Sequence, residues 1–229
     1  MSDARATTGT IALVGGGEWQ DGAELDRELL EASGGSEVLV LPTAAAYQHP
    51  ELAVATAKAW FARLGATVRP LMVLRHDDAE KEEHAKAARE AAFVYLGGGS
   101  PLHLRSVLKG SAVLTGILEA WRRGAVVAGS SAGAMVLCNP MVDPRGGAFT
   151  VGLGLVEQLA IVPHHQSGGT QLLWRTLELA PAGVPVAGIP EHTALIREAS
   201  GGWRAAGAAA GGVTIYLDGE IAGLTDLPS

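Results

Sequence analysis

Short apolar runs recur along the chain, and each ends in glycine or proline. Ile11–Val14 leads into Gly15-Gly16-Gly17, Glu37–Leu41 into Pro42-Thr43, and Phe93–Leu96 into Gly97-Gly98-Gly99. Residues 125–128 lead into Gly129-Ser130-Ser131-Ala132-Gly133. Apolar residues are continuous within these runs, not alternating, so they read as parallel strands buried on both faces. Between them, polar and apolar residues mix at helical spacing over residues 23–32, 50–64, 79–91 and 116–123. The third helix alternates acids and bases, a solvated face. Another helical run spans Gln171–Leu179. The βαβα alternation predicts a three-layer, doubly wound, mostly parallel α/β sheet, with residues 1–229 as a single domain. Thr193–Arg197, 202–206 and 213–217 are short, with glycine turns between them. They predict a short antiparallel C-terminal extension.

Composition narrows the class. Hydrophobic residues make up 48% of the 229 and charged residues 18%, enough apolar material for one real core. Net charge is -7 and no basic cluster is present, so no nucleic-acid partner is expected. The single cysteine, Cys138, forms no internal disulfide and reads as core packing on the helix after residue 133. The first ten residues are polar, without the apolar stretch of a signal peptide. No apolar run is long enough to span a bilayer. A cytoplasmic protein with no membrane partner is expected, acting alone or as a homodimer. His, Cys and carboxylate spacings form no metal set, and no cofactor is expected.

The glycine turns sit where ligands bind in such folds, at the carboxyl ends of strands. Residues 129–133 spell G-x-S-x-G between a strand and a helix-capable run, the nucleophile-elbow pattern, with Ser131 at its apex. A serine nucleophile needs a base, and the base needs an orienting acid. Of seven histidines, His76 and His84 fall in or beside the charged helix, and His49 and His103 in loops or helix starts. His164 and His165 follow an apolar run and a proline, which places the pair at another strand end on the elbow's edge. Glu191 follows residues 186–189 and Pro190 in the same way, so it can orient the base. Asp143, in a loop, is a rival acid, while Glu178 falls inside a helical run. One oxyanion donor is the amide of Ala132, and Gly97-Gly98-Gly99 can supply the other. Gly15-Gly16-Gly17 reads as a turn on the same edge, followed by Trp19 as a pocket wall. Trp60, Trp121 and Trp174 lie in helical runs and read as packing residues.

These motifs together resemble the dipeptidase E (aspartyl dipeptidase) and cyanophycinase family. The match rests on Ser131 in G-x-S-A-G-A, the Gly97-Gly98-Gly99 turn, Val162-Pro163-His164 and Gly188-Ile189-Pro190-Glu191. It runs from Ile11 to about Leu217. The resemblance implies a fold like class I glutamine amidotransferases, flavodoxin-like, and a serine peptidase acting through an acyl-enzyme. It implies Ser131 as nucleophile, His164 as base, Glu191 as orienter, and Gly99 and Ala132 as oxyanion amides. Gly98, Ser100, His165 and Trp19 are the candidate substrate contacts around them. Dipeptidase E has asparagine where this chain has Ser100. The family's acid-binding arginine lies after the base histidine, where this chain has Gln166-Ser167-Gly168-Gly169-Thr170. A guanidinium fork for an aspartyl side chain is absent there, so neither aspartyl specificity nor cleavage of the aspartate–arginine polymer is implied. A small peptide or isopeptide is the expected substrate. An amidase, esterase or acyl transferase with the same triad, or a non-catalytic binding module, are the alternatives.

Overall fold

The computed structural model describes residues 8–23, 25–165 and 171–229. Chain order begins β1 (Ile11–Val14), α1 (Leu25–Ser33), β2 (Glu37–Leu41), α2 (Pro50–Arg63) and β3 (Thr67–Pro70). It continues α3 (His76–Ala79), α4 (Glu82–Glu90), β4 (Phe93–Leu96), α5 (Pro101–Leu108), α6 (Ala112–Arg122), β5 (Val126–Ser130) and α7 (Ala132–Leu137). Four two-residue strands trim the loop after α7: β6 (Cys138–Asn139), β7 (Met141–Val142), β8 (Phe149–Thr150) and β9 (Val156–Glu157). Then come β10 (Ala160–Pro163), α8 (Gln171–Leu179), β11 (Val186–Ile189), β12 (Thr193–Arg197), β13 (Trp203–Gly207), β14 (Thr214–Leu217) and β15 (Glu220–Ala222).

The main sheet has seven strands in the order β13-β12-β1-β5-β4-β2-β3. The five from β1 to β3 are parallel, and β12 and β13 add antiparallel. Side chains alternate between two cores with period two. Ile11, Leu13, Leu39, Leu41, Val94, Leu96 and Val127 face one core, with residues of α5, α6 and α7. Ala12, Val14, Val38, Val40, Phe93, Tyr95, Val126 and Ala128 face the other, with Leu29, Trp60 and Phe61 of α1 and α2. Phe61 meets Phe93 and Tyr95 edge-on, with ring centroids 6.1 and 6.3 Å apart. Each such buried side chain contributes about 1.5–3 kcal/mol. This is the expected three-layer, mostly parallel arrangement.

A second sheet, β10-β11-β14-β15, stands apart. β10 and β11 pair in parallel and the rest antiparallel. The strands that carry the histidine pair and Glu191 therefore belong to this sheet and not to the main one. The link is α7, all six of whose residues are buried. It packs on β1 and β5 on one side and on β10 on the other. Ile161, Val162, Val186, Ala187, Ile189 and Ile215 of the second sheet share a core with α7. A short helix with no polar residue has no face to give to water, so it is sandwiched.

Several elements differ from expectation, the separate second sheet and the two-residue strands β6–β9 among them. The run 79–91 is broken into α3 and α4, with Lys81 extended between them. β3 was not foreseen, because it is an edge strand whose residues alternate between exposed and half-buried.

Candidate active site

Ser131 closes β5 and opens α7 with φ 50° and ψ -106°. A non-glycine residue there carries about 1–3 kcal/mol of strain, which the surrounding packing must hold. Gly129 makes that possible: a Cβ on it would lie 2.4 Å from the Gly133 carbonyl carbon. The Ser131 N–H donates to the Val14 carbonyl at 2.9 Å.

Ser131 Oγ lies 2.8 Å from His164 Nε2, and His164 Nδ1 lies 2.9 Å from Glu191 Oε1. With Nδ1–H donating to the carboxylate, Nε2 is bare and can accept the serine proton. The His164 and Glu191 side chains are 50% and 56% exposed, so this edge is open to an incoming ligand.

β10 and β11 place the two groups just past a shared register, Pro163 opposite Ile189: His164 is one residue beyond it and Glu191 two. The turn after β1 then bolts these strand ends to the main sheet. Gly15 accepts from the His164 N–H at 2.8 Å and donates to the Thr193 carbonyl at 2.9 Å. Gly16 accepts from the His192 N–H at 2.9 Å. Gly16 has φ +134°, and a Cβ on it would stand 2.3 Å from His164 Cε1. The imidazole thus lies directly against a bare backbone.

On the other flank, the Gly97–Gly99 turn sits beside Ser131. Gly97 donates to the Leu41 carbonyl at 3.1 Å, and Ser100 N–H donates to the Ala44 carbonyl at 2.8 Å. Gly98 N–H donates to Glu18 Oε1 at 2.9 Å, and Ser130 Oγ–H donates to Glu18 Oε2 at 2.7 Å. Ala132 is the first residue of α7, directly after Ser131.

Several expected contacts are placed differently. His165 is 7% exposed, and its ring lies over Gly188 and edge-on to Tyr216. Burial lowers its pKa, which favours the neutral imidazole. Trp19 is 5% exposed and stacks beneath the glycine turn, tilted on Tyr95 at 5.2 Å. It supports the turn from behind, against Tyr95 and Gly97. Ser100 Oγ caps α5 by accepting from the His103 N–H at 3.3 Å. Asp143, the rival acid, is engaged twice by Arg145, at 2.9 and 2.6 Å, and that guanidinium holds its carboxyl below the usual range. Trp174 is 57% exposed, unlike the buried Trp60. Cys138 is fully buried, and burial pushes its thiol far up. Residues 166–170, the segment in which the resemblance places an acid-binding arginine, lie outside the described residues.

Sequence reasoning missed Glu18 altogether and gave the Gly15–Gly17 turn too small a part. The available signal was the spelling Gly-Gly-Gly-Glu at a strand end. A cavity of about 650 Å³ lined by Trp121, Leu155, Arg197 and Ser229 lies at the opposite end of β1, away from Ser131. Among the described residues, no group of three or more His, Cys, Asp or Glu side chains is placed to hold a metal ion. Among them, no helix is long and apolar enough to cross a membrane.

Two solved structures resemble the chain over nearly its whole length. A peptidase from an acI-B1 Actinobacterium is 29% identical, with a TM-score of 0.80, over 94% of this chain and 96% of that one. A protein assigned as a peptidase E from Listeria monocytogenes EGD-e shares the fold at 20% identity and a TM-score of 0.60. That match covers 92% of this chain and 98% of the other. No protein with a curated description matches. The profile of peptidase family S51 matches residues 11–202. With a serine at the elbow and a histidine at its side, the chain belongs to peptidase family S51 and is a serine-type peptidase.

Proposed function

We propose that this peptidase hydrolyses a small peptide or isopeptide through an acyl-enzyme, with Ser131, His164 and Glu191 as its triad. The observation that carries the reading is the continuous chain Ser131 Oγ–His164–Glu191 at 2.8 and 2.9 Å. In this reading Ser131 Oγ attacks the carbonyl carbon as its proton passes to His164 Nε2. The carbonyl oxygen becomes an oxyanion held by the amides of Gly99 and Ala132. The C–N bond then breaks, and His164 returns the proton to the departing amine. Water attacks the acyl-enzyme, His164 takes its proton, and the carboxylate product leaves as the Ser131 hydroxyl is restored. Glu191 holds the imidazole in one tautomer and faces its positive charge. Asp143, occupied by Arg145, is left out of this reading.

The test is turnover of a dipeptide, isopeptide and simple-ester panel by the wild type beside Ser131→Ala. The variant is expected to lose about 10⁴–10⁶-fold in kcat with unchanged circular dichroism. A fluorophosphonate should label the wild type at Ser131 and not the variant. Wild-type turnover by Ser131→Ala would sink the reading.

A further inference from the structure

Glu18 occupies a place that neither the triad nor the oxyanion amides explain. In the strand order β1-β5-β4 the nucleophile's strand is in the middle. Glu18 follows the turn after β1, and its carboxylate reaches across the end of β5 to the turn after β4. One oxygen accepts the Gly98 N–H at 2.9 Å, and the other accepts the hydroxyl of Ser130 at 2.7 Å. Ser130 is fully buried and directly precedes the nucleophile. Gly98 directly precedes Gly99, the proposed oxyanion donor. A Cβ on Gly98 would meet Glu18 Oε1 at 2.7 Å and Ser131 Cβ at 3.6 Å, so the carboxylate, the turn and the nucleophile crowd one spot.

A solvated turn acid would be free in water, whereas each oxygen of Glu18 takes a donor from a different strand end. Such charge-assisted bonds are stronger than neutral ones. A negative charge beside a forming oxyanion is electrostatically unhelpful in itself, so what Glu18 supplies is placement. We propose that Glu18 is a positioning residue: by tying the Gly97–Gly99 turn to the elbow, it sets the distance between the Gly99 amide and Ser131. The proposal rests on the reading of Ser131 as the nucleophile.

Reach and charge can be separated. Glu18→Asp keeps the charge but is one methylene too short to hold both donors. Glu18→Gln keeps the length: its oxygen accepts from Gly98, and its NH2 donates to a turned Ser130 hydroxyl. Glu18→Ala removes both bonds. The experiment measures kcat and KM on the best-cleaved member of the panel, with melting temperatures to confirm folding. Glu18→Asp and Glu18→Ala are expected to lose about 100-fold in kcat, with KM within about threefold, as for a misplaced oxyanion donor. Glu18→Gln is expected to keep kcat within about tenfold of the wild type. Wild-type kcat in Glu18→Asp would overturn the proposal. So would Glu18→Gln falling as low as Glu18→Ala, or a raised KM at unchanged kcat, which would mark a substrate contact. If Glu18→Ala does not fold, the Asp and Gln variants still decide. Failure of fluorophosphonate to label wild-type Ser131 would show, without any Glu18 variant, that the catalytic reading had failed, and this proposal with it.

Discussion

The proposed nucleophile and its proposed base stand on sheets of opposite construction. Ser131 ends a central strand of the main sheet, flanked by β1 and β4 and covered by helices on both faces. His164 and Glu191 extend from β10 and β11 of a four-stranded sheet whose outer strand, β15, is mostly exposed. The first is fixed by its own hydrogen-bond ladders and two cores. The second is fixed by docking, through α7 and the backbone bonds at Gly15 and Gly16. In the proposed reading, catalytic alignment therefore depends on a joint between the two sheets, while each central strand of the main sheet is held by neighbours on both sides. Changes at the joint should cost activity before they cost the fold, and changes deep in the main sheet should do the reverse.

The sharpest separation is expected from Glu191→Ala. Glu191 is half-exposed, so the fold should survive, yet His164 loses its orienting partner. A kcat loss of about 10³–10⁴-fold with unchanged circular dichroism is the expected outcome. Gly16→Ala strikes the joint itself. Its Cβ would collide with the His164 ring at a backbone angle that suits glycine. A loss of about 100-fold in kcat is expected, with only a modest fall in melting temperature. Full activity in this variant would remove the joint from the account.

Asp26→Asn probes the main-sheet side. Asp26 is 1% exposed, and its Oδ2 accepts from Trp60 Nε1 at 2.9 Å. Burial raises its pKa from 3.8 to about 7; the Trp60 bond opposes the shift and the Glu18 charge adds to it. The folded state thus holds a proton that the unfolded state has released. This group's contribution is full below 3.8 and is lost as pH rises to about 7, beyond which it is flat. The amide has no such proton, so the variant should melt above the wild type on the alkaline side, by on the order of 2–4 kcal/mol in stability. The difference should vanish toward acid pH. Melts across that range check the sign, and a constant offset would contradict it.

The central strands were legible because Ile11–Val14, Glu37–Leu41 and Phe93–Leu96 carry apolar residues for both faces at once. β3 was hidden because an edge strand shows its partly polar side chains to water. The elbow was legible because Gly129, Ser131 and Gly133 are close in sequence and perform one local act. His164 and Glu191 could be placed at strand ends, yet an apolar run does not say which sheet it joins, so the second sheet went unseen. Glu18 was invisible for a different reason. Its partners lie 80 and 112 residues away, and a glutamate after three glycines looks like any solvated turn acid. Trp19 and His165 sit beside the site in sequence, and their burial against Tyr95 and Tyr216 was not legible from that nearness.

A chain leaving the ribosome presents Ser131 well before Glu191 and Thr193 have been made. Until they arrive, Gly15 lacks the Thr193 carbonyl that anchors it, and β1 lacks β12 as its neighbour. An elbow formed early has no held imidazole to draw its proton. In the proposed reading the half-made chain is therefore expected to be inert toward the peptides around it, since Glu191 and the strand after it are still missing. In that reading the order of synthesis itself holds the chemistry back until the orienting carboxylate has been made.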